Sequence, residues 1–200
     1  MNNNDLVLHA LAIKKHASPE EVAPLAGIAL ADASATLERA TASGRAALAN
    51  GKYLLTPLAR VALESSYSRL FEEIRETDQF ISAYEEFERI NVQLKTLITD
   101  WQTISVGSER IANDHSSKAH DDAVIDRLGD LHERADRIFG RLATHHPRLK
   151  FYSTRLLAAL EKAEDGAVEW VSDAKIESYH TLWFELHEDL LRMVGRQREE

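Results

Sequence analysis

The chain has 200 residues, 44% of them hydrophobic and 28% charged, a balance that excludes a disordered or low-complexity polymer. A net charge of −9 excludes a uniformly cationic nucleic-acid or membrane-surface binder, and the lack of cysteine excludes disulfides, thiol catalysis and cysteine-ligated zinc. No apolar run is long enough to span a bilayer, and Met1-Asn2-Asn3-Asn4-Asp5 has neither the basic start nor the apolar middle of a secretion signal, so the expectation is a cytoplasmic protein with no membrane partner.

In chain order, Ser18-Pro19-Glu20-Glu21 reads as a capping box with proline at the first helical position. The helix it starts turns Val22, Leu25 and Ala26 inward and stops at Gly27. Leu30 to Ser43 reads as a second helix with Ala33, Leu37 and Ala40 inward, ended by Gly44. Two short helices around a glycine-containing turn form a helix-turn-helix pattern. Ala46-Ala47-Leu48-Ala49 and Tyr53-Leu54-Leu55 then flank Asn50-Gly51-Lys52, and Asn-Gly is a strong hairpin signal because both turn residues need positive φ. Thr56-Pro57 opens a long helix whose buried stripe starts at Leu58, Val61 and Ala62.

This run, from Ser43-Gly44-Arg45 through Asn50-Gly51-Lys52-Tyr53-Leu54-Leu55-Thr56-Pro57 to Arg60, resembles the wing segment of winged helix-turn-helix transcriptional regulators of the MarR and GntR kind, over roughly residues 5–65. The resemblance implies that the helix from Leu30 enters the DNA major groove and that the hairpin tip near Lys52 touches the backbone or minor groove. The chain departs from that pattern at the base-facing positions. Ala31, Asp32, Ser34, Ala35 and Glu38 offer no Arg, Lys, Asn or Gln for base pairing in the groove. Cations do stand at ends, turns and the wing, so the DNA-contact candidates are Lys14, Lys15, Arg39, Arg45, Lys52 and Arg60, together with the Ser34 hydroxyl at a base-facing position. Residues 1–65 carry six basic and six acidic side chains, and the net negative charge lies entirely beyond them. Three or four phosphate contacts per copy require dimerisation for useful affinity.

Between Pro57 and about Thr103 there is neither proline nor glycine. Leu63, Tyr67, Leu70, Ile74, Thr77, Ile81 and Tyr84, then Phe87, Ile90, Leu94, Leu97 and Trp101, keep helical spacing with one short step at Tyr84–Phe87. Either one long helix bends there or two helices meet near Thr77-Asp78. A polar loop is expected through Ser105, Gly107, Ser108 and Asn113 to Ser117. Helices follow over Ala123–Leu142, Leu149–Ala163 and about Asp173–Val194. Together with the helix ending at Trp101 they form a four-helix-bundle-like domain. The expected organisation is mainly α, with a winged helix-turn-helix and small hairpin over residues 1–65 and a helical bundle over 66–200 for homodimerisation and ligand sensing.

The bundle holds seven of the nine histidines beyond residue 100, and Glu177 and His180 have the i, i+3 carboxylate–imidazole spacing of metal-binding bundles. The resemblance to the GntR class, which includes helical domains with a metal held by an aspartate or asparagine and three histidines, extends to the outline only. The candidates are His115, Glu177, His180 and His187 for a divalent metal or small ligand, walled by Trp101, Tyr179 and Trp183, with structural histidine as the competing reading. No phosphate loop, nucleophile elbow or His-Glu-x-x-His motif occurs, and no enzyme activity or obligatory cofactor is expected. Three functions remain: a dimeric, ligand-responsive DNA-binding regulator, a regulatory adaptor whose degenerate winged helix binds a protein, and a metal- or small-ligand-binding helical protein.

Overall fold

Helix starts and stops follow the local signals closely. In the computed structural model, which describes residues 1–106 and 109–197, α1 spans Asn3–Lys14 and is capped by the Asn2 side chain, which accepts from the Asp5 amide at 3.0 Å. α2 spans Pro19–Ala26: Glu21 Oε2 accepts from the Ser18 amide at 2.7 Å, and Gly27 ends the helix at φ +70°. α3 spans Leu30–Ala42 and buries Ala33, Thr36, Leu37 and Ala40. β1 (Ala46–Ala49) and β2 (Lys52–Leu55) pair antiparallel with Ala46 opposite Leu55 and Ala49 opposite Lys52, around a turn whose Asn50 and Gly51 both take positive φ. Ala17 adds an antiparallel bridge to Tyr53, exchanging both backbone hydrogen bonds at 2.8 and 3.0 Å.

α1 was invisible to periodicity for a physical reason. Every residue from Val7 to Ile13 is buried, so the helix has no polar face, and it packs against α2, α3, β2 and α4.

α4 spans Pro57–Leu70, with Thr56 Oγ1 accepting from the Ala59 amide at 3.4 Å and donating to the Gly44 carbonyl at 3.0 Å. The glycine-free stretch is interrupted at Phe71, continues as the single turn α5 (Glu72–Arg75), and restarts as α6 (Asp78–Gln102). Two helices meeting near Thr77-Asp78 is therefore the alternative realised. The stripe residues flanking the break, Leu70, Ile74, Thr77 and Ile81, are only half-buried, whereas Tyr84, Phe87, Ile90, Leu94, Leu97 and Trp101 are buried.

The expected polar loop after Trp101 is largely a second hairpin. β3 (Thr103–Val106) and β4 (Glu109–Ala112) pair with Ile104 opposite Ile111, and Asp100 holds Arg110 at 3.0 Å. Its alternating Thr-Ile-Ser-Val was a strand signal that the surrounding polar residues obscured. Gly107 and Ser108, named in that loop, lie outside the described residues. α7 runs Lys118–His145, α8 Lys150–Glu164 and α9 Tyr179–Val194. α9 starts later than Asp173 because Asp173 Oδ1 accepts from the Lys175 amide in a local turn and Ser178 Oγ accepts from the Thr181 amide, which makes Ser178 the start signal.

Two compact units result, Met1–Asp78 with His187–Glu200, and Gln79–Leu186. The first unit reaches past residue 65 because α4 and Phe71 share its core: the His9 ring lies edge-on to Tyr67 and Phe71 at centroid distances of 5.4 and 5.5 Å. It also takes the C-terminal half of α9. The second unit is a helical bundle of α6, α7, α8 and the N-terminal half of α9, with Arg141 on Glu86 and Ser153 on Asp136 tying neighbouring helices. The hydrophobic residues buried there include Phe87, Phe139, Tyr179 and Trp183.

Candidate nucleic-acid interface

The outward face of α3 is set by what its other face buries. With Ala33, Leu37 and Ala40 inward, Leu30, Ala31, Asp32, Glu38 and Arg39 are exposed, and Ser34 and Ala35 are half-buried. That face carries two carboxylates and one guanidinium. Arg39 leans back along the helix, Nη2 donating to Thr36 Oγ1 at 2.8 Å. Arg45 is exposed at the end of the α3–β1 turn and donates from Nε to Ser43 Oγ at 3.1 Å. Arg60 is half-buried in the first turn of α4, and Lys14 and Lys15 close α1, Lys15 exposed at φ +66°.

Lys52, expected at the hairpin tip, points instead to Glu21, Nζ donating to Oε1 at 2.9 Å. Burial pushes the Glu21 carboxyl up, but the Ser18 amide, Lys52 and Lys14 outweigh it and hold its pKa below the usual carboxylate value. One carboxylate thus finishes the α2 cap and anchors the hairpin, and Lys52 serves α2 before it can serve a phosphate. Large apolar side chains are exposed at Leu30 (47%), Leu48 (56%), Leu58 (80%) and Val61 (60%). Leu58, Val61 and Ala62, expected to start the buried stripe of α4, face outward, because the helix turns Ala59, Leu63 and Tyr67 inward instead.

The ligand candidates fall into separate groups. In the second unit, Trp101 and His115 do come together, ring centroids 4.6 Å apart. His115 Nδ1 faces the buried Asp121 carboxylate at 3.1 Å, and Asn113 Nδ2 donates to the Asp121 carboxylate and the Trp101 carbonyl. His115 opens on a cleft of about 560 Å³ lined also by Asp122, Asp126 and Glu164, with Lys118 paired to Asp122 at 2.6 Å. Tyr179 and Trp183, expected as pocket walls, are core: Trp183 Nε1 donates to Asn91 Oδ1 at 3.1 Å, and the Tyr179 hydroxyl meets His132 Nδ1 at 3.1 Å. Burial holds the His132 pKa below the usual imidazole value, against Asp136 and Glu133. Glu177 is held by Arg155, and His180 sits half-buried near the start of α9. His187 is buried in the first unit. Among the described residues no three or more His, Asp or Glu side chains gather where a metal ion could sit.

A polar network in the first unit escaped the sequence. His9 (1% exposed) places Nε2 at 2.8 Å from Asp189 Oδ1 (0%) and Nδ1 at 3.0 Å from the Tyr67 hydroxyl. An ionised Asp189 only accepts, so Nε2 carries the proton, and in the neutral ring Nδ1 accepts from Tyr67. Arg192 Nη1 donates to Tyr67 at 3.4 Å, and its Nε and Nη2 donate to Glu188 at 3.0 and 2.8 Å. Burial, opposed by Arg192, pushes the Tyr67 pKa up to about 12. His9 and Asp189 stand 180 positions apart, a separation that no local spacing reveals.

Comparison with protein-family models, with curated proteins and with solved structures finds no match. Among the described residues, no helix is long and apolar enough to cross a membrane.

Proposed function

We propose that this chain is a dimeric, cytoplasmic, ligand-responsive transcriptional regulator whose first unit is a winged helix, with α3 as the reading helix and β1–β2 as the wing. The observation that carries the reading is the order of its parts: helix, bridge strand at Ala17, two helices, then a hairpin whose second strand pairs with that bridge. This arrangement leaves the outer side of α3 exposed beside a projecting turn at Asn50-Gly51. Recognition would rest on phosphate contacts from Arg39, Arg45 and Arg60 with a minor contribution from Ser34, so two copies would be needed.

The test is electrophoretic retardation of mixed genomic fragments at low salt. Retardation at micromolar protein, lost in Arg39→Ala with Arg45→Ala and only weakened in Lys52→Ala, supports the reading. No retardation overturns it in favour of a second reading, a protein-binding adaptor, which the exposed Leu30, Leu48, Leu58 and Val61 favour.

A further inference from the structure

Three guanidiniums meet at one cleft of the first unit. A cavity of about 570 Å³ is lined by Arg75, Arg192 and Arg196, by the Tyr67 side chain and Leu191, and by two carboxylates, Glu64 and Glu188. Cations outnumber carboxylates here in a chain whose net charge is −9.

Two of the guanidiniums are fixed by bonds that leave donors over. Arg75 Nε donates to the Met193 carbonyl at 2.9 Å and Nη2 to the Arg192 carbonyl at 3.2 Å, so it caps the end of α9 and offsets the negative end of that helix. Gly195, at φ +75°, lets it lie there: a Cβ at that position would stand 2.8 Å from Arg75 Cζ. Arg192 is held by Glu188 on one side and Tyr67 on the other. A guanidinium has five N–H donors in a planar fork, so Arg75 keeps three and Arg192 keeps two. Donors pre-set by other bonds bind an anion without first being ordered, and an Arg fork matches the two oxygens of a carboxylate or the edge of a phosphate.

We infer that this cleft between α4, α5 and the end of α9 is a binding site for a small oxyanion, a carboxylate or phosphate, gripped by Arg75 and Arg192, with Tyr67 and Leu191 against its apolar part. Arg192 also joins the site to the hydrogen-bonded chain through Tyr67 and His9 into α1, which packs on α3. An anion that draws Arg192 away from Tyr67 changes what holds His9. The use of the site as an effector pocket rests on the regulator reading; the binding itself does not.

Calorimetry on the full chain without DNA tests the binding, with benzoate, its uncharged analogue benzamide, and inorganic phosphate as probes. Saturable binding of benzoate or phosphate at one per chain, tighter than about 1 mM, is expected. Benzoate alone identifies a carboxylate site, phosphate alone a phosphate site, and either supports the inference. Arg192→Lys keeps the charge and loses the fork, so it should weaken the anion roughly tenfold with an unchanged circular dichroism spectrum. Since Arg75→Ala removes a helix cap, Arg75→Lys serves as the second variant, with the same loss expected. Failure of both anions to saturate, benzamide binding as tightly as benzoate, or wild-type binding in both variants overturns the inference. A separate retardation assay with and without the bound anion reads the coupling, so a protein that binds the anion but no DNA refutes the regulator and leaves the site standing.

Discussion

His9 and Asp189 form a buried polar pair in the first unit. Both are out of water, and the imidazole faces the carboxylate at 2.8 Å in a setting where polar groups lose most of their solvation. Removing one partner therefore differs in kind from removing both. His9→Phe should lower stability to urea by about 3–5 kcal/mol, because the buried Asp189 carboxylate loses the imidazole that faces it. The pair His9→Phe with Asp189→Leu should recover most of that loss. A double variant as unstable as the sum of its single changes would show that the two side chains act independently. His132 makes the complementary point in the second unit. Burial lowers its pKa below 6.5, so the unfolded chain binds its proton more readily than the folded one. Its contribution is present above pH 6.5 and lost as pH falls through the depressed folded value. Urea midpoints followed from pH 7 downward should fall, and His132→Gln should flatten part of that slope.

At the scale of elements, the hairpin next to α3 depends on two backbone angles. Asn50 stands at φ +53° and Gly51 at φ +78°, with open space where a Gly51 Cβ would project. A side chain at Gly51 is opposed by backbone strain and not by crowding, so Gly51→Ala should cost about 1–2 kcal/mol and Asn50→Gly close to nothing. Hydrogen exchange at Ala46 to Leu55 would show the first change loosening the ladder, and equal protection in both variants would contradict this account. The same elements show what the sequence carried. The α2 cap, Gly27, Asn50-Gly51 and Thr56-Pro57 are short-range signals, and each appears in the backbone where it was read. α1 and the second hairpin were lost for opposite reasons, the first being buried from Val7 to Ile13 and the second exposed along β4. Both lack the contrast between faces on which periodicity depends. Side-chain partnerships were the least legible part. Lys52 looked like a cation available to DNA and is committed to Glu21, while Tyr179 and Trp183 looked like pocket walls and are core. Apolar spacing misplaced the start of the α4 stripe, where Leu58, Val61 and Ala62 are exposed, and for residues that do face inward it does not say whether they meet a cavity or another ring.

For the whole molecule, charge decides what kind of DNA binder this chain could be. The net negative charge lies beyond residue 65, so long-range attraction to a polyanion is absent and close contacts must supply the affinity. Arg39 and Arg45 are exposed and Arg60 is half-buried, whereas Lys52 holds its carboxylate. On the proposed reading, three contacts per copy and six per dimer would make the logarithm of the association constant fall against the logarithm of salt concentration with a slope of about −5. Freeing Lys52 by Glu21→Gln should steepen the slope by about 1 per copy, since a released ammonium becomes one more phosphate contact. Binding isotherms at several salt concentrations read both numbers directly. A slope near zero, with binding retained, would place the affinity in the apolar surface of Leu30, Leu48 and Leu58 and point to a protein partner. A slope that ignores Glu21→Gln would show that the hairpin stays clear of the backbone.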